Sequence, residues 1–219
     1  MNVFDIIGPI MIGPSSSHTA GAVRLGKIAR KILDDIPVKA HIQLSGSFAR
    51  TYKGHGTDKA IVAGIMDWPT YDERIRNSLQ IASESGLDYS FTIQDIPDTH
   101  PNTARITLTG KSGKISTMQG CSIGGGNILV TEINGTSVSF SGEYNTLIIL
   151  HHDKPGTIAA VTKVAAESGL NIGNFRLSRP QRGADAVMTI EVDEDVPDKL
   201  MDELKLVQNV VNVVLIRRI

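Results

Sequence analysis

The stretch Leu147-Ile148-Ile149-Leu150-His151-His152-Asp153-Lys154-Pro155-Gly156 joins a short apolar run to a loop that closes on Pro and Gly. A run of that length reads as a buried strand, and a Pro near the first helical turn announces a helix, which the pattern Ile158–Ser168 supplies. Working outward, strand patterns follow near Ile172–Leu177 and Ala186–Val192, then a helix over Lys199–Leu206 and a strand over Val210–Ile216. The order β-α-β-β-α-β is the ferredoxin-like arrangement. Small sheets of this kind have exposed edges, and pairing edge to edge in a dimer hides them. His151 and His152 are adjacent on a strand and so face opposite sides, which argues against a metal pair.

A boundary is expected near Ser141-Gly142-Glu143-Tyr144, dividing the chain into residues 1–143 and 144–219. The first part mixes helices and strands, so the whole is α+β. Val23, Leu25, Ile28, Ala29, Ile32 and Leu33 repeat at helical spacing, with Arg24, Lys27, Arg30 and Lys31 on the wetter side. Val38, Ala40, Ile42 and Leu44 alternate as a half-buried strand that runs into a small-residue loop, Ser45–Thr51. A third helix is expected to open near Pro69–Asp72 and to end at Gly86. Strand patterns then dominate, and Asn134-Gly135 is a strong hairpin signal. The segment Gly120–Asn127 lacks the spacing of a dinucleotide fingerprint and is followed by a strand, so a bulge or tight loop is expected there.

Composition removes several classes of function. The 219 residues carry a formal net charge of −1, with acids and bases evenly mixed and no basic stripe for nucleic acid. No apolar run approaches the roughly 18–20 residues of a membrane span, and the first residues lack the basic start of a secretory signal; a cytoplasmic protein is expected. Cys121 is the single cysteine, so this chain alone forms no disulfide framework and no cysteine-held metal cluster. It reads as a structural thiol, and His100 reads as part of a turn.

Two segments carry the chemistry. Gly13-Pro14-Ser15-Ser16-Ser17-His18-Thr19-Ala20-Gly21 packs hydroxyls and an imidazole at a helix start, where free backbone N–H groups and the dipole favour an anion. Gly54-His55-Gly56-Thr57-Asp58 repeats the theme, with His55 expected at the start of a second apolar helix that Thr57 or Asp58 would cap. Together they predict a shared small-anion site. Ser45, Ser47 and Arg50 are candidates for the same pocket, with Arg50 as a carboxylate fork, or are an ordinary polar turn.

These stretches, with the Asp153–Gly156 loop, resemble the β subunit of the bacterial iron–sulfur-dependent L-serine dehydratases of the two-subunit type, over essentially the whole chain. The resemblance implies a serine dehydratase β domain followed by an ACT domain, an amino-acid-sensing ferredoxin-like module; the first domain is also similar to the extra substrate-binding domain of some phosphoglycerate dehydrogenases. It implies conversion of L-serine to pyruvate and ammonia. It further implies a [4Fe–4S] cluster held by the cysteines of a separate α subunit, without which this chain is inactive. His18 and His55 are the implied catalytic residues. Ser15, Ser16, Ser17, Thr19, Ser45, Ser47, Arg50, Thr57 and Asp58 are expected to bind substrate. L-serine as effector is expected near Asp153, Pro155, Gly156, Asn171 and Asn174, with dimerisation through the ACT domain. A freestanding amino-acid sensor is the alternative reading. A Ser–His hydrolase built on Ser15–His18 lacks the strand–turn–helix elbow that such enzymes use.

Overall fold

The computed structural model describes residues 9–218, which divide into two compact units with the seam between Asn134 and Gly135. The first unit is built around α1 (Gly21–Leu33). All six of the apolar positions expected to face inward, from Val23 to Leu33, are buried. One side of α1 lies on a sheet and another against α3 (Thr57–Ile65). In spatial order the sheet runs β2 (Asp88–Ile93), β1 (Pro37–Leu44), β3 (Thr103–Gly110), β4 (Ile115–Gly124) and β5 (Asn127–Ile133). Only β1 and β2 pair in parallel; the other neighbours are antiparallel.

Glycines let α1 reach both partners. A Cβ on Gly26 would stand 2.2 Å from the Ile61 carbonyl oxygen, and one on Gly64 2.0 Å from that of Val23. The backbones of α1 and α3 therefore touch where they cross. On the sheet side, a Cβ on Gly120 would meet the Leu25 side chain at 2.8 Å, and one on Gly21 would meet Ser122 Oγ at 2.2 Å.

Four elements differ from the sequence expectation. Val38 is 38 % exposed, because a register shift between Pro37 and Lys39 breaks the alternation at the start of β1. Ser45–Thr51 is not a loop: α2 (Gly46–His55) begins there and buries Phe48 and Ala49. His55 therefore ends α2 rather than opening a helix, and Gly56, in the left-handed region at φ +68°, joins α2 to α3. Neither Thr57 nor Asp58 caps α3. The third helix is two pieces, a 3₁₀ turn (Glu73–Asn77) capped by the Asp72 carboxylate and α4 (Ser78–Glu84). The Gly120–Asn127 segment is the end of β4 with register shifts, followed by a glycine turn, as a bulge requires.

At Asn134 and Gly135 both φ angles are positive, +49° and +79°, the geometry of a two-residue hairpin turn. The turn leads into β6 (Thr136–Phe140), and the compact seam falls just before β6. The second unit then follows β7 (Asn145–His152), α5 (Thr157–Glu167), β8 (Ile172–Ser178), β9 (Asp185–Val192), α6 (Asp198–Lys205) and β10 (Val210–Ile216). Its four-stranded antiparallel sheet has the order β10-β7-β9-β8, the ferredoxin-like topology. Leu147, Ile149, Met188 and Ile190 form its core with Val161, Leu200 and Leu204 of the two helices.

The glycine crossing makes a direct prediction. Gly64→Ala is expected to lower unfolding free energy by about 1–3 kcal/mol through overpacking. Gly54→Ala, where an added Cβ meets nothing within 4 Å, is expected to cost nothing in the same urea titration.

Candidate active site

Ser15 has an extended backbone, and its Oγ accepts the His18 N–H at 3.3 Å, capping a single π-helical turn over Ser16–Ala20 that runs into α1. That wide turn swings His18 inward, where it is 9 % exposed. Its ring is held at both nitrogens. Nδ1 lies 3.0 Å from Ser17 Oγ and 3.4 Å from Ser15 Oγ, and Nε2 lies 3.3 Å from Ser47 Oγ. Ser47 reaches this position because α2 starts beside it. Gly46 adopts φ +58°, a Cβ there would strike Pro101, and the Ser47 N–H donates to the Pro101 carbonyl at 2.6 Å.

The other end of α2 returns to the same imidazole. The His55 ring lies 4.8 Å from that of His18 at 83°, and Phe48 packs edge-on at 5.2 Å. Burial, and secondarily the neighbouring His55, lowers the His18 pKa from its usual 6.5. His18 is thus a neutral ring clamped among hydroxyls. His55 is exposed, and among the described residues no hydrogen bond engages its ring. The arrangement can fix a small polar molecule against one imidazole while the other stays free to exchange a proton.

Ser15, Ser17, His18, Ser47 and His55 therefore come together, as the two-motif reading expected. Other predicted residues do not join them. Ser45 spends its hydroxyl accepting the Ile96 N–H at 3.1 Å. Arg50 stays exposed and contacts none of the cluster. Ser16 contributes its carbonyl to the Gly21 N–H. Thr19 and Thr57 are buried with hydroxyls that find no partner. Asp58 is buried, its carboxylate accepts the Lys59 N–H, and burial pushes its pKa up. Phe48 was missed by sequence reasoning because the segment that carries it reads as a loop.

In the second unit the expected effector residues separate. Asp153 is locked by the Gly183 N–H at 2.9 Å and by Arg179, which hold its carboxyl below the usual range. With Lys154, Pro155 and Gly156 it borders a hollow of about 570 Å³. Asn171 donates to Asp193 and Asn174 to Glu191, beside a different hollow. The register puts Ile172 level with Asn145 at one end of the sheet and Asp185 level with His152 at the other. Within one chain these residues do not form one site. His151 is buried and His152 meets Asp185 at 2.7 Å on the exposed side, so the two rings point apart.

This chain's donors do not fit a metal cluster. Cys121 is buried in β4 and burial pushes its thiol pKa up, the reverse of what thiolate ligation needs. No three His, Cys, Asp or Glu side chains converge among the described residues. Among them, too, no helix is long and apolar enough to cross a membrane. His100 accepts the Asn102 N–H within its turn.

With that fold and cluster in place, the comparisons with known proteins are specific. The serine dehydratase beta chain family model matches residues 2–133, and the ACT domain model matches residues 145–205. The chain belongs to the serine dehydratase beta chain family and carries a C-terminal ACT domain. It is 47 % identical to a probable L-serine dehydratase beta chain of Bacillus subtilis, over 97 % of this chain and 96 % of that one. It is 37 % identical to the L-serine dehydratase beta chain of Peptoniphilus asaccharolyticus, over 91 % and 90 %. It is also 25 % identical to a D-3-phosphoglycerate dehydrogenase of Bacillus subtilis, over 89 % of this chain but 37 % of that enzyme. The expected likeness of the fold to part of those dehydrogenases is thereby met.

The His18 environment predicts a titration. Its folded pKa lies below 6.5, so the unfolded chain binds the proton more readily and stability is lost as pH falls from 6.5 through the folded value. In an NMR titration, His55→Ala is expected to raise the His18 pKa while leaving it below 6.5, because burial is the larger cause. His18→Gln is expected to flatten the stability profile across that interval.

Proposed function

We propose that this chain is the β subunit of a two-chain L-serine dehydratase that converts L-serine to pyruvate and ammonia. In this reading the cysteines of a separate α subunit would hold a [4Fe–4S] cluster, which would supply Lewis-acid chemistry toward the serine hydroxyl. The observation that carries the reading is the imidazole pair, with His18 fixed by Ser15, Ser17 and Ser47 and His55 beside it at 4.8 Å. The names of the Bacillus and Peptoniphilus relatives support the substrate. The single buried Cys121 supports a partner that supplies the cluster.

In this reading the Ser15–Ser17 turn and Ser47 hold the polar end of the amino acid, and neutral His18 orients it through a hydrogen bond. His55, solvent-accessible and unpaired, moves the proton at the α-carbon. Loss of that proton and of the β-hydroxyl as water leaves an enamine, whose imine tautomer hydrolyses to pyruvate and ammonia. The second unit serves as a dimerisation element, since β8 presents a largely exposed edge strand. Its Asp153 loop is the candidate effector contact.

The test is anaerobic pyruvate formation from L-serine with this chain alone, the cluster-loaded partner alone, and the two mixed. Activity is expected only in the mixture, and equal activity of the partner alone would contradict the reading. In the mixture, His55→Ala is expected to lower kcat by about 10²–10⁴, the usual range for losing a general acid–base group. Ser47→Ala is expected to act mainly on KM, because it releases the His18 ring without removing it.

A further inference from the structure

Beside His55, and bordered by none of Ser15, Ser17, His18 or Ser47, lies a cleft of about 310 Å³, at the lower end of the range for small-molecule sites. Three cationic side chains line it: Lys53 from α2, Lys59 from α3 and Arg76 from the 3₁₀ turn. Among the described residues no carboxylate does. Five other cations of the first unit each meet a carboxylate. Lys27 and Lys31 reach Asp67, Lys39 reaches Asp88, Arg74 clasps Asp72, and Arg105 faces Glu132. Among the described residues Lys53, Lys59 and Arg76 form no ion pair. Asp58, whose pKa burial raises and whose charge Lys59 and Lys53 partly offset, is itself buried.

A second feature marks the same cleft. Thr19 lines it and is 2 % exposed, yet among the described residues its hydroxyl has no hydrogen-bond partner. A buried hydroxyl without a partner costs free energy that a bound acceptor would offset. Like charges brought from three separate elements around one concavity repel one another unless an anion sits between them. A single negative charge would balance only one of the three cations that line the cleft.

We propose that this cleft binds a small anion carrying two negative charges, a phosphate ester or a dicarboxylate, held by Lys53, Lys59 and Arg76. Because His55 forms part of the wall, occupancy places negative charge directly beside its imidazole. The site is separate from the hydroxyl cluster that holds the polar end of the amino acid, so a dianion regulates the reaction centre from an adjoining position.

Isothermal titration of the full chain with inorganic phosphate, and in parallel with malonate, tests this without a partner chain or turnover, so its outcome is independent of the dehydratase reading. One-to-one saturable binding is expected, weakened about tenfold by Lys59→Gln and again by Arg76→Gln, as for the loss of a charged hydrogen bond. The exposed control Lys39→Gln is expected to leave it unchanged. Tighter binding of phosphate assigns a phosphate ester, and tighter binding of malonate a dicarboxylate. Failure to saturate with either probe, binding indifferent to the two cleft variants, or acetate binding as tightly as the dianions would overturn the proposal.

Discussion

The contact on which the first unit depends is the crossing of α1 and α3 at Gly26 and Gly64. With an added Cβ at either glycine falling within about 2 Å of the opposite helix's carbonyl oxygen, the two helices meet backbone to backbone. Such an approach fixes both their separation and their rotation, since no side chain stands between them to adjust. The π turn that carries His18 runs directly into α1, and it also lies against α3. His55 is joined to the start of α3 through Gly56. The distance between the two imidazoles is therefore inherited from a contact that contains neither of them.

The second unit was legible almost element by element, because apolar alternation and the Pro155-Gly156 turn act locally and each strand edge has a clear turn beside it. The same holds for α1, whose amphipathic pattern survives intact. Legibility fails where tertiary packing overrides local preference. Gly46-Ser47-Phe48-Ala49 reads as a loop because small residues favour turns, yet burial of Phe48 and Ala49 makes it the first turn of α2. The pairing of His18 with His55 was legible as two similar motifs. That Ser47 completes the clamp, and that Ser45 does not, depends on the facing of adjacent residues at a helix start. Lys53, Lys59 and Arg76 were invisible as a group because they come from three elements with no common spacing.

The site divides its electrostatic roles. His18 is buried, wrapped in hydroxyls and biased toward neutrality, so it serves as a fixed hydrogen-bonding ring. His55 is exposed, and it stands between the hydroxyl cluster and the cationic cleft. Belonging to the serine dehydratase beta chain family gives this division a setting. This chain contributes the hydroxyl-clamped His18 and the exposed His55, and its one cysteine, Cys121, is buried away from them in β4.

The most direct measurement is a crystal structure of the two-chain complex, prepared anaerobically with an unreactive analogue of L-serine. The analogue is predicted to lie within hydrogen-bonding reach of the Ser15–His18 turn and Ser47, with its α-carbon facing His55. An analogue bound wholly by the partner chain, out of reach of both imidazoles, would contradict the central claim and leave this chain with a regulatory role alone.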